Sequence, residues 1–534
     1  MSIDAALARL GAYVTEVAGA WATPGAVVAV TDRERTLGVL AHGWADVERR
    51  IPVTPRTLFQ IGSISKSFAA LAVMREVEAG RLDLRAPVTD YLPWLPLRTV
   101  GEPVTLHHLL SHTSGLPAGM EATPSTLGEA LRLARIEPTA PGPFLYSNLG
   151  YSLIGLVLER VTGEPIADVL RKAVLEPAGM TDTEPVITNA LRPHLSVGYA
   201  SADASRPWHP GLPVAPAAWV ESDSAAGSIC SSAEDMAAYA RLLLAGGAGV
   251  VSSSSFELMT TPVGGLEDGL GYGYGYGLEI EERDGRNLVG HSGGMIGFSS
   301  ALEIDPRAGV GAVVLCNFVD LAWVPGKLVP VALELVRATV EGRALPELPA
   351  VDRASVPDAA AYAGTYRSDA GEVAVQADGD RLSLDGGGRR ARLERVEADV
   401  FYPVSVSPAS FFVRFGRQDG DVVELLDGPD WYAGERYRAE TKPRVPEEWH
   451  AYTGVYAAFS PWVPGFRVFV RRDRLVVLAP PGVEALLEPL GSGRFRLAGG
   501  DEVLPSTVTF GDLIDGRAAR ATCDGTDLYR MFDP

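Results

Sequence analysis

Apolar residues recur at helical spacing in several stretches of this 534-residue chain. Ala5–Val17 reads as an amphipathic helix. Phe68, Leu71, Met74 and Val77 form one apolar face of a second, with Gly80 as its stop. Leu153, Ile154, Val157 and Leu158 mark a third, and Lys327 through Val340 a fourth that ends at Gly342. Between the last two the pattern changes to strands. Tyr276–Glu281 and Phe298–Ile304 flank an Asp284-Gly285 hairpin turn, and Ser299–Cys316 reads as two short strands around Asp305-Pro306-Arg307-Ala308-Gly309. Pro346, Pro349 and Pro357 then form a stiff linker. Beyond it the helical spacing disappears. Short alternating strands follow, separated by turns such as Asp378-Gly379-Asp380, Asp419-Gly420 and Asp524-Gly525.

The strand-rich region repeats itself. Ala361-Tyr362-Ala363-Gly364-Thr365-Tyr366 returns 90 residues later as Ala451-Tyr452-Thr453-Gly454-Val455-Tyr456. Asp380-Arg381-Leu382-Ser383-Leu384 returns 93 residues later as Asp473-Arg474-Leu475-Val476-Val477, so the second copy has gained about three residues, placed around Ser460–Pro464. Each copy is expected to close on a Tyr-Arg pair, Tyr437-Arg438 and Tyr529-Arg530. A unit of about 85 residues built of short strands suffices for one small closed antiparallel barrel. The expected domains are 1–343, 358–441 and 446–534.

Candidate chemistry is concentrated in the first of these. Ser63-Ile64-Ser65-Lys66 opens the second helix and places a serine and a lysine on one side of a single turn. At a helix N-terminus, free backbone N–H groups can stabilise an oxyanion, and a neutral lysine can help take a serine's proton. The only lysines are Lys66, Lys172, Lys327 and Lys442, against 47 basic residues in all. A lysine kept where arginine would serve a generic role suggests a group that must lose its proton. Two further signals follow in order, about 80 and 145 residues apart: Tyr146-Ser147-Asn148, ahead of the third helix, and His291-Ser292-Gly293-Gly294, between the strand-like runs. The glycines suit close approach of an extended ligand's backbone.

This triplet resembles that of the penicillin-recognising serine hydrolases: class C β-lactamases, D-Ala-D-Ala carboxypeptidases, related esterases and D-aminopeptidases. The resemblance covers roughly the first 340 residues. It includes Leu109-Leu110-Ser111-His112-Thr113-Ser114-Gly115-Leu116-Pro117, and Ala226-Gly227-Ser228 through Ser232-Ala233-Glu234-Asp235-Met236, both similar to segments of the class C-like branch. The resemblance implies an α/β (α+β) β-lactamase/transpeptidase-like domain, an antiparallel sheet flanked by helices. It implies Ser63 as nucleophile, with Lys66 and Tyr146 sharing general-base work. Asn148, His291 and Gly293 would bind substrate, and the backbone N–H groups of Ser63 and Gly294 would form the oxyanion hole. A His-x-Gly third motif where β-lactamases usually carry Lys-Thr-Gly points to the peptidase branches and away from an efficient β-lactamase. Two lipocalin-like barrels after such a domain resemble the architecture of the D-aminopeptidases. The implied activity is an aminopeptidase or amidase on small substrates with an N-terminal D-residue. The alternatives are an ester hydrolase or peptide-cyclising acyltransferase on the same machinery, or a slow-turnover penicillin-binding or ligand-binding protein.

Gly290-His291-Ser292-Gly293-Gly294 also fits the Gly-x-Ser-x-Gly nucleophile elbow of α/β-hydrolases. That elbow needs a helix after the turn and a later histidine in the same domain. Strands follow here, and the only later histidine is His450, beyond the linker, so the elbow is set aside.

Composition narrows the partners. A net charge of −20 disfavours nucleic acid and anionic lipid, leaving a small-molecule or short-peptide substrate, with a homodimer compatible. No run of 18 apolar residues exists, so no membrane span is expected. Met1-Ser2-Ile3-Asp4-Ala5-Ala6-Leu7 lacks a basic n-region, and a cytoplasmic protein is the expectation. Cys230, Cys316 and Cys523 lack metal spacing and read as buried thiols. His107, His108 and His112 cluster without a carboxylate or cysteine at ligand distance, so they read as structural. No metal or cofactor is expected. The third domain's Asp501-Glu502 is a candidate partner for a substrate ammonium.

Overall fold

The computed structural model describes residues 2–119, 128, 139–203, 206–266, 271–319, 323–369, 371–386, 388–438, 445–460, 462, 464–480, 482–498, 507–523 and 525–531. Asp501-Glu502, Lys442 and part of the Ser460–Pro464 insertion lie outside them.

The first unit is built on one eight-stranded antiparallel sheet. Its strands are β1 (Gly25–Asp32), β2 (Thr36–Asp46), β3 (Ile51–Pro52), β4 (Gly273–Tyr274), β5 (Glu279–Arg283), β6 (Arg286–Met295), β7 (Phe298–Asp305) and β8 (Val310–Cys316). They lie in the order β3-β2-β1-β8-β7-β6-β5-β4. The first strand of the sheet in sequence order therefore pairs with the sheet's last, Ala26 opposite Cys316. Every residue of β7 and β8 is buried, so both faces of these strands are covered. Helices α4 (Ala233–Leu244) and α5 (Val324–Val340) pack against them, and α1 (Ile3–Ala20) packs on α5 and β2. Ser2 and Ser232 cap α1 and α4 through their side chains, as such residues do at the N-terminus of a helix. Two further helices, α2 (Ser65–Glu78) and α3 (Asn148–Thr162), pack on each other and carry the candidate motifs.

Several boundaries differ from the sequence reading. Ser63 lies in a tighter 3-10 turn, Gly62–Ile64, that leads into α2. Of the strand expected at Tyr276–Glu281 only the part from Glu279 on is realised, in β5, because Gly277 takes a left-handed φ of 70° before it. The Asp284-Gly285 turn has both central residues at positive φ (53° and 68°), the geometry of a tight hairpin, and Arg286 pairs with Arg283 across it.

A second unit comprises the described residues from 350 onward together with those between 201 and 214. It holds two closed eight-stranded antiparallel barrels, running from Gly364 to Gly434 and from Gly454 to Arg530. The repeat is structural as well as sequential. In the first barrel Tyr366 donates its hydroxyl to Tyr362 O (2.7 Å), and in the second Tyr456 donates to Tyr452 O (2.9 Å). The closing strands are Asp430–Gly434 and Thr526–Arg530. Tyr529-Arg530 thus closes the second barrel, whereas Tyr437-Arg438 falls beyond the first barrel's last strand. The segment from 201 to 214 belongs to this unit: His209 Nε2 sits 3.0 Å from Glu394 and its ring stacks on Tyr402.

Candidate active site

Lys66 is the centre of the constellation. Its side chain is fully buried in the first turn of α2, where Nζ lies 2.9 Å from Ser63 Oγ, 2.7 Å from Asn148 Oδ1 and 2.8 Å from Ala226 O. The last two groups can only accept, so they take two N–H bonds. The third direction faces Ser63, whose hydroxyl can accept from an ammonium or donate to the lone pair of a neutral amine. This is the arrangement a lysine base needs.

Asn148 is fixed by donating Nδ2–H to Gly119 O at 3.2 Å, which turns its oxygen towards Lys66. Its oxygen therefore helps hold the lysine in place. Tyr146 is buried, with Lys66 Nζ 4.8 Å from its ring centre. It also neighbours His112, ring to ring at 4.2 Å, which accepts the Ser147 backbone N–H on Nδ1 (3.0 Å). Burial, with Lys66 and His291 nearby, holds His112 well below the usual imidazole range, so it stays neutral. His112 thus positions the Tyr-Ser-Asn segment. Sequence reasoning had noted the residue without that role, since its partner lies 35 residues further on.

The His291 motif occupies β6. Gly293 is required by the protein's own packing: a Cβ there would lie 2.0 Å from Ile61 O and 2.4 Å from Ser300 Oγ. Across the same gap, Gly62 has φ +54°, and a Cβ there would lie 2.6 Å from Gly294 N. The turn carrying Ser63 is therefore pressed against β6, bringing the Ser63 and Gly294 segments together. His291 itself is a buried strut. Nδ1 sits 2.5 Å from Ser292 O and 3.4 Å from Glu279 Oε1, and Nε2 sits 2.9 Å from Tyr274 OH. The ring also faces Tyr146, with ring centres 6.4 Å apart.

Glu279 was not singled out in the sequence. It ends the β5 pairing opposite Gly290, and its Oε1 accepts from Ser292 N (3.3 Å) and Ser292 Oγ (3.1 Å). Burial raises its pKa, while the Ser292 donors and Lys66 pull the other way. Among the described residues, no three His, Cys, Asp or Glu side chains gather in a way that could hold a metal ion. No helix among them is long and apolar enough to cross a membrane.

A serine held against a buried lysine, beside two backbone segments forced into contact, defines the class: a serine hydrolase. The Beta-lactamase family profile matches residues 12–330, and the chain belongs to that family. Esterase EstB from Burkholderia gladioli is 35% identical over 239 residues, 40% of this chain and 57% of that protein. Protein flp from Staphylococcus aureus (strain NCTC 8325 / PS 47) is 28% identical over 316 residues, 55% of this chain and 59% of that protein. The matches thus span less than three-fifths of these relatives' length. Among solved structures, the octameric penicillin-binding protein homologue from Pyrococcus abyssi matches 80% of this chain and 99% of its own, at 28% identity and a TM-score of 0.58.

Proposed function

We propose that the protein hydrolyses small amides, peptides with an N-terminal D-residue foremost, through an acyl-enzyme on Ser63. The observation that carries this reading is the direction of Lys66 Nζ, with two accept-only partners behind it and Ser63 Oγ at 2.9 Å in front. Ser63 Oγ attacks the carbonyl carbon as its proton passes to neutral Lys66, with Tyr146 beside it. The oxyanion is held by the N–H groups of Ser63 and Gly294, each such donor being worth about 3–4 kcal/mol. Collapse breaks the C–N bond, and the proton returns through Lys66 and Tyr146 to the leaving amine. Water then attacks the acyl-enzyme by the same route and restores Ser63. The His-x-Gly motif and the paired barrels favour the D-aminopeptidase branch.

Ester hydrolysis is the second reading, favoured by the 35% identity to EstB. Acyl transfer to an internal amine would use the same acyl-enzyme. The octamer named for the Pyrococcus homologue supports self-association.

Turnover of D- and L-aminoacyl p-nitroanilides, p-nitrophenyl esters and a chromogenic cephalosporin separates these readings. Preference for D-aminoacyl anilides is expected, with Ser63→Ala inactive but folded and a fluorophosphonate labelling Ser63. Labelling at Ser292 would overturn the assignment.

A further inference from the structure

We infer that Glu279 is a specificity residue of this site, placed to reject a substrate carboxylate and to accept a neutral or cationic group beside Ser292. The inference deepens the proposed function and rests on acylation at Ser63. In an extended strand, N–H groups two residues apart point to the same edge. Ser292 N points to the β5 side of β6, since Glu279 accepts it. The pairing of β6 with β7 runs without a register shift from Val289 to Met295, so Gly294 N points to that side as well. The pairing of β5 with β6 ends at Glu279 opposite Gly290. The edge beyond is therefore not paired by a strand, and its two consecutive donors are Ser292 N–H and, about 7 Å further on, Gly294 N–H.

The second of these is the proposed oxyanion donor. The first, with the Ser292 hydroxyl, would be a ready anion site: a backbone N–H and an O–H converging on one point. Glu279 Oε1 already occupies that point, at 3.3 and 3.1 Å. Its side chain is 21% exposed, so one of its oxygens can meet a ligand while the other contacts hold it in place. The groups facing it are Ser292, the His291 ring at 3.4 Å, the Glu281 carboxylate and the more distant Lys66 side chain. A substrate arm running along this edge from the oxyanion donor meets a fixed acceptor with both of its natural donors consumed. An incoming carboxylate would find like charge and no hydrogen bond. An ammonium or an amide N–H would find an acceptor. Like-charge juxtaposition of this kind costs at least about tenfold in affinity.

Two matched pairs test this in the full-length protein. D-Alanyl-D-alanine against its C-terminal amide places the carboxylate on the leaving side, and N-succinyl- against N-butanoyl-D-alanine p-nitroanilide places it on the acyl side. In the wild type, kcat/KM in at least one pair is expected to favour the uncharged member by at least about tenfold. Glu279→Gln keeps an acceptor towards Ser292 but no charge, and should bring that ratio to within about threefold. Glu279→Asp should retain discrimination. Inhibition of the wild type by 3-carboxyphenylboronic against 3-carbamoylphenylboronic acid gives the same comparison without a variant, with weaker inhibition by the carboxylate expected. Equal treatment of both substrate pairs by the wild type, or a ratio unchanged in Glu279→Gln, overturns the inference. Fluorophosphonate labelling of Ser63 in each protein separates this from failure of the acyl-enzyme reading.

Discussion

Replacing Lys66 by arginine separates the two things a lysine can supply, a positive charge and a removable proton. The Nζ atom has three partners, and Asn148 Oδ1 and Ala226 O can only accept. An arginine could satisfy both with its N–H fork. What it cannot do is offer a lone pair to Ser63, because a guanidinium carries donors only and keeps its charge at all working pH values. The cost should therefore be that of a lost general base, about 10²–10⁴-fold in kcat, or about 3–5 kcal/mol on the barrier. A second cost falls on stability. Lys66 has no exposed surface, so the larger guanidinium must displace packed neighbours, at about 1–3 kcal/mol. Lys66→Met is the control, similar in length but with neither charge nor proton. Hydrolysis of a p-nitrophenyl ester, with thermal melts to confirm folding, should show both variants down by a similar factor. An arginine variant within tenfold of wild type, or 100-fold better than the methionine variant, would refute the base and leave Lys66 as an electrostatic prop.

Three further outcomes follow from the geometry. Gly293→Ala should lower kcat/KM by at least about 100-fold, because its Cβ cannot lie 2.0 Å from Ile61 O without shifting β6 from the Ser63 turn; ester hydrolysis near the wild-type rate would contradict the close approach. Burial, aided by Arg85 and His108, holds His107 at about 4, below the 6.5 of an unfolded histidine. The unfolded chain then binds more protons, so stability should fall as pH drops from about 6.5 towards 4; thermal melts should show a shallower slope for His107→Gln. Glu394 is held at about 2, first by its hydrogen bond with His209 and then by Arg392 and Arg353. Its contribution is present above about 4.5 and lost as pH falls towards 2, so Glu394→Gln should melt lower at neutral pH and converge with wild type in acid.

The parts of the fold most legible in the sequence were those with local causes. The Ser63-Lys66 spacing, the left-handed Asp284-Gly285 turn and the 90-residue echo of Tyr362 and Tyr366 each depend on neighbours a few residues away. What was missed depends on distant contacts. His112 meets Ser147, Gly293 meets Ile61, and Glu279 reaches Ser292 across a hairpin. A glycine beside a polar strand reads the same whether or not the protein's own chain approaches it, as Ile61 O approaches Gly293 here. The Tyr276–Glu281 run had strand composition, but a left-handed Gly277 interrupts it.

The pairing of β1 with β8 sets an order of events during synthesis. Ala26 lies in register opposite Cys316, so an inner strand of the sheet waits for a partner 290 residues away. At about 5–20 residues per second, that partner leaves the ribosome about 15–60 s later. Throughout this interval Val27, Val28 and Val30, fully buried in the finished sheet, have only β2 to pair with. The barrels face no such delay, because each strand pairs with the next and the ring closes within about 80 residues. The nascent catalytic unit is thus the segment most in need of a chaperone, and the barrels are built for rapid, local completion.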